Sequence, residues 1–147
     1  MKDPQIILHS RYIRDFSFEN FGAPALPGEA DPVFDITVEV ENRETRDMHE
    51  VMLSVRVAAK REEQISFLID LSYAGLYQIS GMGGPERRRF LHTEAPRMLF
   101  PFVDRICADV TRDGGLPPLA LTPPDFTELA ENSRREADRA AAVPATT

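Results

Sequence analysis

Side chains that ionise, attack or hold a metal are few in this sequence and fall in few useful combinations. His9, His49 and His92 are scattered, and none has a second ligand at metal-binding spacing, so no metal is expected. The one cysteine, Cys107, excludes an internal disulfide. It lies on an apolar helical stripe, where a thiol is structural rather than nucleophilic. The run from Gly81 to Gly84 precedes a helix but lacks the lysine and hydroxyl of a phosphate loop, so it reads as a strand-to-helix turn. Arg87, Arg88 and Arg89 make too short a run for a nucleic-acid footprint, and a net charge of −7 disfavours nonspecific binding to nucleic acid. No enzyme and no cofactor are expected.

What remains is surface. In "RYIRDFSFENFGAPALP", Arg11 to Pro27, strand alternation puts Tyr12, Arg14, Phe16 and Phe18 on one face and Ile13, Asp15, Ser17 and Glu19 on the other. Asp15 and Glu19 are expected to present two negative charges about 7 Å apart along the strand. Leu68 and Asp70 share the polar face of a later strand, where a leucine beside carboxylates is an exposed apolar group. With both strands in one sheet and helices behind it, these four residues face outward together.

The elements that must position them follow from periodicity. "VFDITVEVEN" alternates, with Phe34, Ile36, Val38 and Val40 on one side. "HEVMLSVRVAAK" repeats the pattern with Val51, Leu53, Val55, Val57 and Ala59. "ISFLIDLSYAGLYQISGM" sets Phe67, Ile69, Leu71 and Tyr73 opposite Ser66, Leu68, Asp70 and Ser72, with Gly75 marking a bulge or a close approach. Short polar turns, "RETRD" and "REEQ", join these strands as hairpins. The link "FGAPALPGEADP" is too long and proline-rich for a hairpin and is expected to cross over the sheet or run along its edge.

The period then changes to that of helices. A short one spans roughly Pro85 to His92, and a longer one starts near Thr93 to Pro96 with Thr93 as its cap. Met98, Leu99, Phe102, Val103, Ile106, Cys107 and Val110 form its stripe, Pro101 predicts a kink or a shared terminus, and Gly114 and Gly115 end it. An extended "LPPLALTPPDF" leads to a last helix from near Pro124, apolar at Phe126, Leu129 and Ala130 and polar afterwards; "VPATT" is expected to be disordered. Strands followed by helices give an α+β fold: a four-stranded antiparallel sheet with helices packed on one face. The chain of 147 residues, 42% of them apolar, suits one domain, residues 1–130, with a polar helix end and tail over 131–147. The opening residues lack the apolar core of a secretory signal, and no apolar run approaches the roughly 20 residues of a membrane helix. A cytoplasmic chain without membrane insertion is expected.

These segments resemble the SecB protein-export chaperones. "RYIRDFSFEN" with "GAPAL", "HEVMLSVRVAA", "SFLIDLSYAGLYQISG" and above all "APRMLFPFVDRICADVTRDGGLPPLALTPPDF" carry the likeness, from Arg11 to Ala130. The resemblance implies a cytosolic homotetramer, a dimer of dimers with sheets outside and long helices sandwiched between them. It implies a nucleotide-independent holdase that binds unfolded precursor polypeptides and delivers them to the SecA motor ATPase. It assigns Asp15, Glu19, Leu68 and Asp70 to contact with a zinc-bearing basic tail on the motor, Asp70 replacing a usual glutamate. Phe34, Ile36 and Val38 with Phe126 and Leu129 become the client groove, and Phe67, Ile69, Leu71 and Tyr73 the face linked to tetramer stability. After Leu129 the sequence turns to "AENSRREADR", where relatives often stay apolar, and Asp104 stands where relatives carry a small residue or a nearby arginine. A chaperone of the same fold dedicated to a toxin–antitoxin pair, and a small-ligand carrier or enzyme with a cavity under the sheet, are the alternatives.

Overall fold

A computed structural model describes residues 3–142. Four strands, β1 (Gln5–Asn20), β2 (Val33–Thr45), β3 (Met48–Arg61) and β4 (Gln64–Ser80), precede three helices, α1 (Gly84–His92), α2 (Glu94–Asp113) and α3 (Phe126–Ala142). The sheet is antiparallel throughout, in the order β1-β4-β3-β2. The crossover link therefore carries the chain from one edge strand to the other. Two-residue turns, Arg46-Asp47 and Glu62-Glu63, join β2 to β3 and β3 to β4, with all four residues at positive φ, 49° to 67°. That is the geometry hairpins favour, filled by residues without glycine's freedom.

One face of the sheet is the core. Val51, Leu53, Val55, Val57 and Ala59 of β3, and Phe67, Ile69, Leu71, Tyr73 and Tyr77 of β4, are all buried, and Leu99, Val103 and Cys107 of α2 join the same cluster. Each buried valine, leucine, isoleucine or phenylalanine among them contributes about 1.5–3 kcal/mol through removal from water. Gly75 is a close approach rather than a bulge: a Cβ there would meet Leu99 Cδ2 at 3.0 Å and Leu8 Cδ1 at 3.1 Å. Tyr77, fully buried beneath α2, donates its hydroxyl to the Ala95 carbonyl at 3.1 Å, and burial pushes its pKa up to about 12.

One local expectation changes. Thr93 does not cap α2; its hydroxyl donates back to the Arg89 carbonyl at 2.7 Å, so it closes α1 instead. Asp125 caps α3, its Oδ1 accepting from Glu128 N at 3.1 Å. The α2 stripe is also only half covered. Leu99, Val103 and Cys107 face the sheet, whereas Met98 is 42% exposed and Phe102 and Ile106 are half-buried. Beyond Ala130, α3 is exposed throughout its described length, as its polar sequence requires. The "VPATT" expectation lies outside the described residues.

Candidate functional sites on the two faces of the sheet

The outer face is set by strand register. Glu19 stands opposite Leu68, Ser17 opposite Asp70 and Asp15 opposite Ser72, so Asp15, Glu19, Leu68 and Asp70 do share one face, away from the helices. The spacing differs from the sequence expectation. Asp15 and Glu19 are four residues apart, which at 3.3 Å per residue is about 13 Å rather than 7 Å. Asp70 is not a free third carboxylate either, because Arg56 of β3 pairs with it at 3.1 Å. No ion pair among the described residues involves Asp15 or Glu19.

The faces of β1 also differ from simple alternation. Ile13 pairs with Tyr73 and Asp15 with Ser72, leaving Arg14 as an extra residue, a β-bulge. Tyr12 therefore lies on the outer face with Asp15, while Phe16 and Phe18 face inward. The Tyr12 hydroxyl donates to Glu50 Oε2, two strands away, and burial followed by that carboxylate raises the tyrosine's pKa. Glu50 is 8% exposed and also pairs with Arg43 at 3.0 Å and Arg14 at 3.6 Å. Sequence reasoning missed Glu50, because nothing local to β3 marks it.

The inner face carries the second site, at the end of the sheet near the crossover link. A cavity of about 290 Å³ lies between Phe34, Phe67, Arg61 and the segment Leu116–Ala120. Phe34 and Ile36 are 43% and 42% exposed, and Val38 is half-buried against the core. The far wall is not the last helix. Phe126 is 1% exposed, edge-on to Phe100 at 6.4 Å, so it anchors α3 in the core, and Leu129 packs partly buried on the same cluster. The proline-rich segment replaces them. Thr111 fixes it, donating to the Cys107 carbonyl at 2.8 Å and accepting from Leu119 N at 2.9 Å, and Asp104 Oδ1 accepts from Leu121 N at 2.9 Å. The near rim is the crossover link. Arg61 holds it through the Ala30 carbonyl at 2.6 Å and Glu29 at 2.7 Å, and Phe21 N donates to the Ser66 carbonyl at 2.8 Å. At Gly22 a Cβ would meet the Ser66 hydroxyl and stand 3.3 Å from the Ser66 carbonyl oxygen, so a side chain there would force the hydroxyl to turn away.

Phe67, Ile69, Leu71 and Tyr73 are 3%, 1%, 0% and 4% exposed within their own chain. They are core within their own chain. No group of three or more metal-ligating side chains occurs among the described residues, and none of their helices is long and apolar enough to cross a membrane.

A family model described as preprotein translocase subunit SecB matches residues 1–137. The chain belongs to the SecB family. It is 44% identical over 144 residues to the protein-export protein SecB of Maricaulis maris, covering 96% of this chain and 83% of that one. It is 41% identical to the protein of the same name from Rhodospirillum centenum, over 84% of this chain and 76% of that one. Among solved structures, a Mycobacterium tuberculosis SecB-like chaperone in complex with a ChAD peptide from the HigA1 antitoxin superposes with a TM-score of 0.69. It is 17% identical and covers 81% of this chain and 90% of that one, a likeness of fold. SecB membership makes this chain a protein-export chaperone, and the four-stranded α+β fold is the one its SecB-like neighbour shares.

Proposed function

We propose that this SecB chain is a cytoplasmic, nucleotide-independent holdase that binds unfolded precursor polypeptides and delivers them to the SecA motor, working as a dimer of dimers. The observation that carries the reading is the separation of its two surfaces. The acidic row, Asp15, Glu19 and Asp70 with Leu68, lies on the outer face. The apolar groove beside Phe34 and Ile36 lies on the inner side. A client in the groove leaves the acidic row free, so both partners can be held at once. Loose apolar contact along a groove, without side-chain readout, suits clients of varied sequence.

Assembly has support in the free edge. Among the described residues β1 has no neighbour on its far side, and Ile6, Ile7, Ile13 and Phe16 along it are 36–48% exposed. Long apolar edges of this kind are covered in stable proteins. The half-covered flank of α2, Met98, Phe102 and Ile106, lies beside this edge, with Arg11 of β1 over the Phe102 ring at 3.6 Å. These residues, not Phe67, Ile69, Leu71 and Tyr73, are the ones a second copy can reach.

The test uses Asp15→Asn with Glu19→Gln. Titration calorimetry against the zinc-loaded basic tail peptide of the motor should show roughly a ten-fold loss of affinity, as for two weak exposed pairs. Client holding, read by light scattering of an aggregating unfolded protein, should persist. Wild-type affinity that ignores salt between 0.1 and 1 M, where the Debye length falls from about 10 Å to about 3 Å, would overturn the docking assignment. Holding of a single antitoxin but of no unrelated unfolded protein would favour the dedicated chaperone.

A further inference from the structure

The bulge at Arg14 decides where Asp15 points, and the structure shows what holds the bulge. Before it, Tyr12 is tied outward by its hydroxyl to Glu50. After it, Phe18 is tied inward against Phe67, at 6.1 Å between ring centres. Regular alternation would put Tyr12 and Phe18 on the same face, so one extra residue must be inserted between them. Arg14, the inserted residue, itself reaches Glu50. Arg43 of β2 pairs with the same carboxylate from the other side. One buried side chain on β3 thus gathers groups from both edge strands, across β4.

A buried carboxylate is an expensive choice for packing alone, since an apolar side chain of similar volume serves packing as well or better. Two of its partners, Tyr12 and Arg14, sit just before and within the one irregularity beside Asp15. We infer that Glu50 is a positioning residue for the docking row: it fixes the bulge at Arg14 and so aims Asp15 to the outer face. Glu19 is held separately, through Phe18. This rests on the docking reading above.

The test is a double-mutant cycle on affinity for the zinc-loaded motor tail peptide. Asp15→Asn is expected to weaken binding up to about five-fold, the range of one exposed pair. Glu50→Leu should weaken it equally, and the two together no further, because both remove the same carboxylate from its place. Deleting Arg14 makes Ile13 and Asp15 consecutive opposite Tyr73 and Ser72, so alternation alone then sets the phase. In that background Glu50→Leu should no longer affect binding, which a general loss of stability could not reproduce. Tyr12→Phe serves if Glu50→Leu fails to fold, with the same rescue expected. Additive losses, or a Glu50→Leu effect that survives deletion of Arg14, would overturn the inference. If Asp15→Asn leaves binding unchanged, the docking reading fails, and NMR contacts between Asp15 and Ser72 still test the clamp. Their persistence in Glu50→Leu overturns it, and their loss supports it.

Discussion

Replacing Ile69 by aspartate separates core from interface. Ile69 is 1% exposed on the inner face of β4, with Phe18 and Val57 as its cross-strand neighbours. Removing its aliphatic side chain forfeits about 2–5 kcal/mol. The new carboxyl stands in the apolar cluster between Phe18 and Val57, so it enters protonated. Keeping a proton at pH 7.4 against an ordinary pKa near 3.9, at 1.36 kcal/mol per unit, costs roughly 5 kcal/mol more. The sum, about 7–10 kcal/mol, is as large as the whole stability of a typical domain, about 5–15 kcal/mol. Ile69→Asp should therefore unfold or aggregate rather than yield a well-folded smaller assembly. Ile13→Asp is the control. Ile13 faces the same side but is 48% exposed on the free edge, so its carboxylate stays in water. It should change the urea midpoint little and lower the molar mass measured by light scattering. A soluble Ile69→Asp chain with the wild-type urea midpoint and reduced mass would refute the reasoning, as would Ile13→Asp at full mass and low micromolar concentration.

Thr111→Val removes the acceptor for Leu119 N and should cost about 1–3 kcal/mol in urea unfolding, with amide exchange at Leu119 accelerated. Glu62→Asn with Glu63→Gly relieves two positive-φ positions and should stabilise the chain by about 1–2 kcal/mol, raising Tm by several degrees in calorimetry. Burial, then Arg88, lowers the His92 pKa below 6.5. The unfolded chain then binds more protons as pH falls below 6.5, so this contribution to stability is complete above 6.5 and lost on acidification. The urea midpoint should fall between pH 7.5 and 5.5, and fall less in His92→Gln. Burial, followed by Asp104, pushes the Cys107 thiol up to about 12, so native protein at pH 8 should resist a thiol reagent that labels it fully in urea.

The sequence by itself determined the strands, their hairpin order, the helices behind them and the outward placing of Leu68 and Asp70. Those features follow from period-two and period-3.6 patterns, which are local and survive in any context that buries one face. It also carried the family likeness through "LFPFVDR" and "TRDGGLPPLALTPPDF". Local pattern could not reveal that Tyr12 and Asp15 share a face, since one bulge reverses the alternation and its cause, Glu50, lies 38 residues away. Nor could it tell core from interface at Ile69, because a periodic stripe says which side is apolar and not what covers it. Phe126 looked like a groove residue for the same reason, and only its seat against Phe100 made it core. Bulges, ion pairs across strands and the cover over an apolar face are contacts between distant segments, and the folded chain alone brings them together.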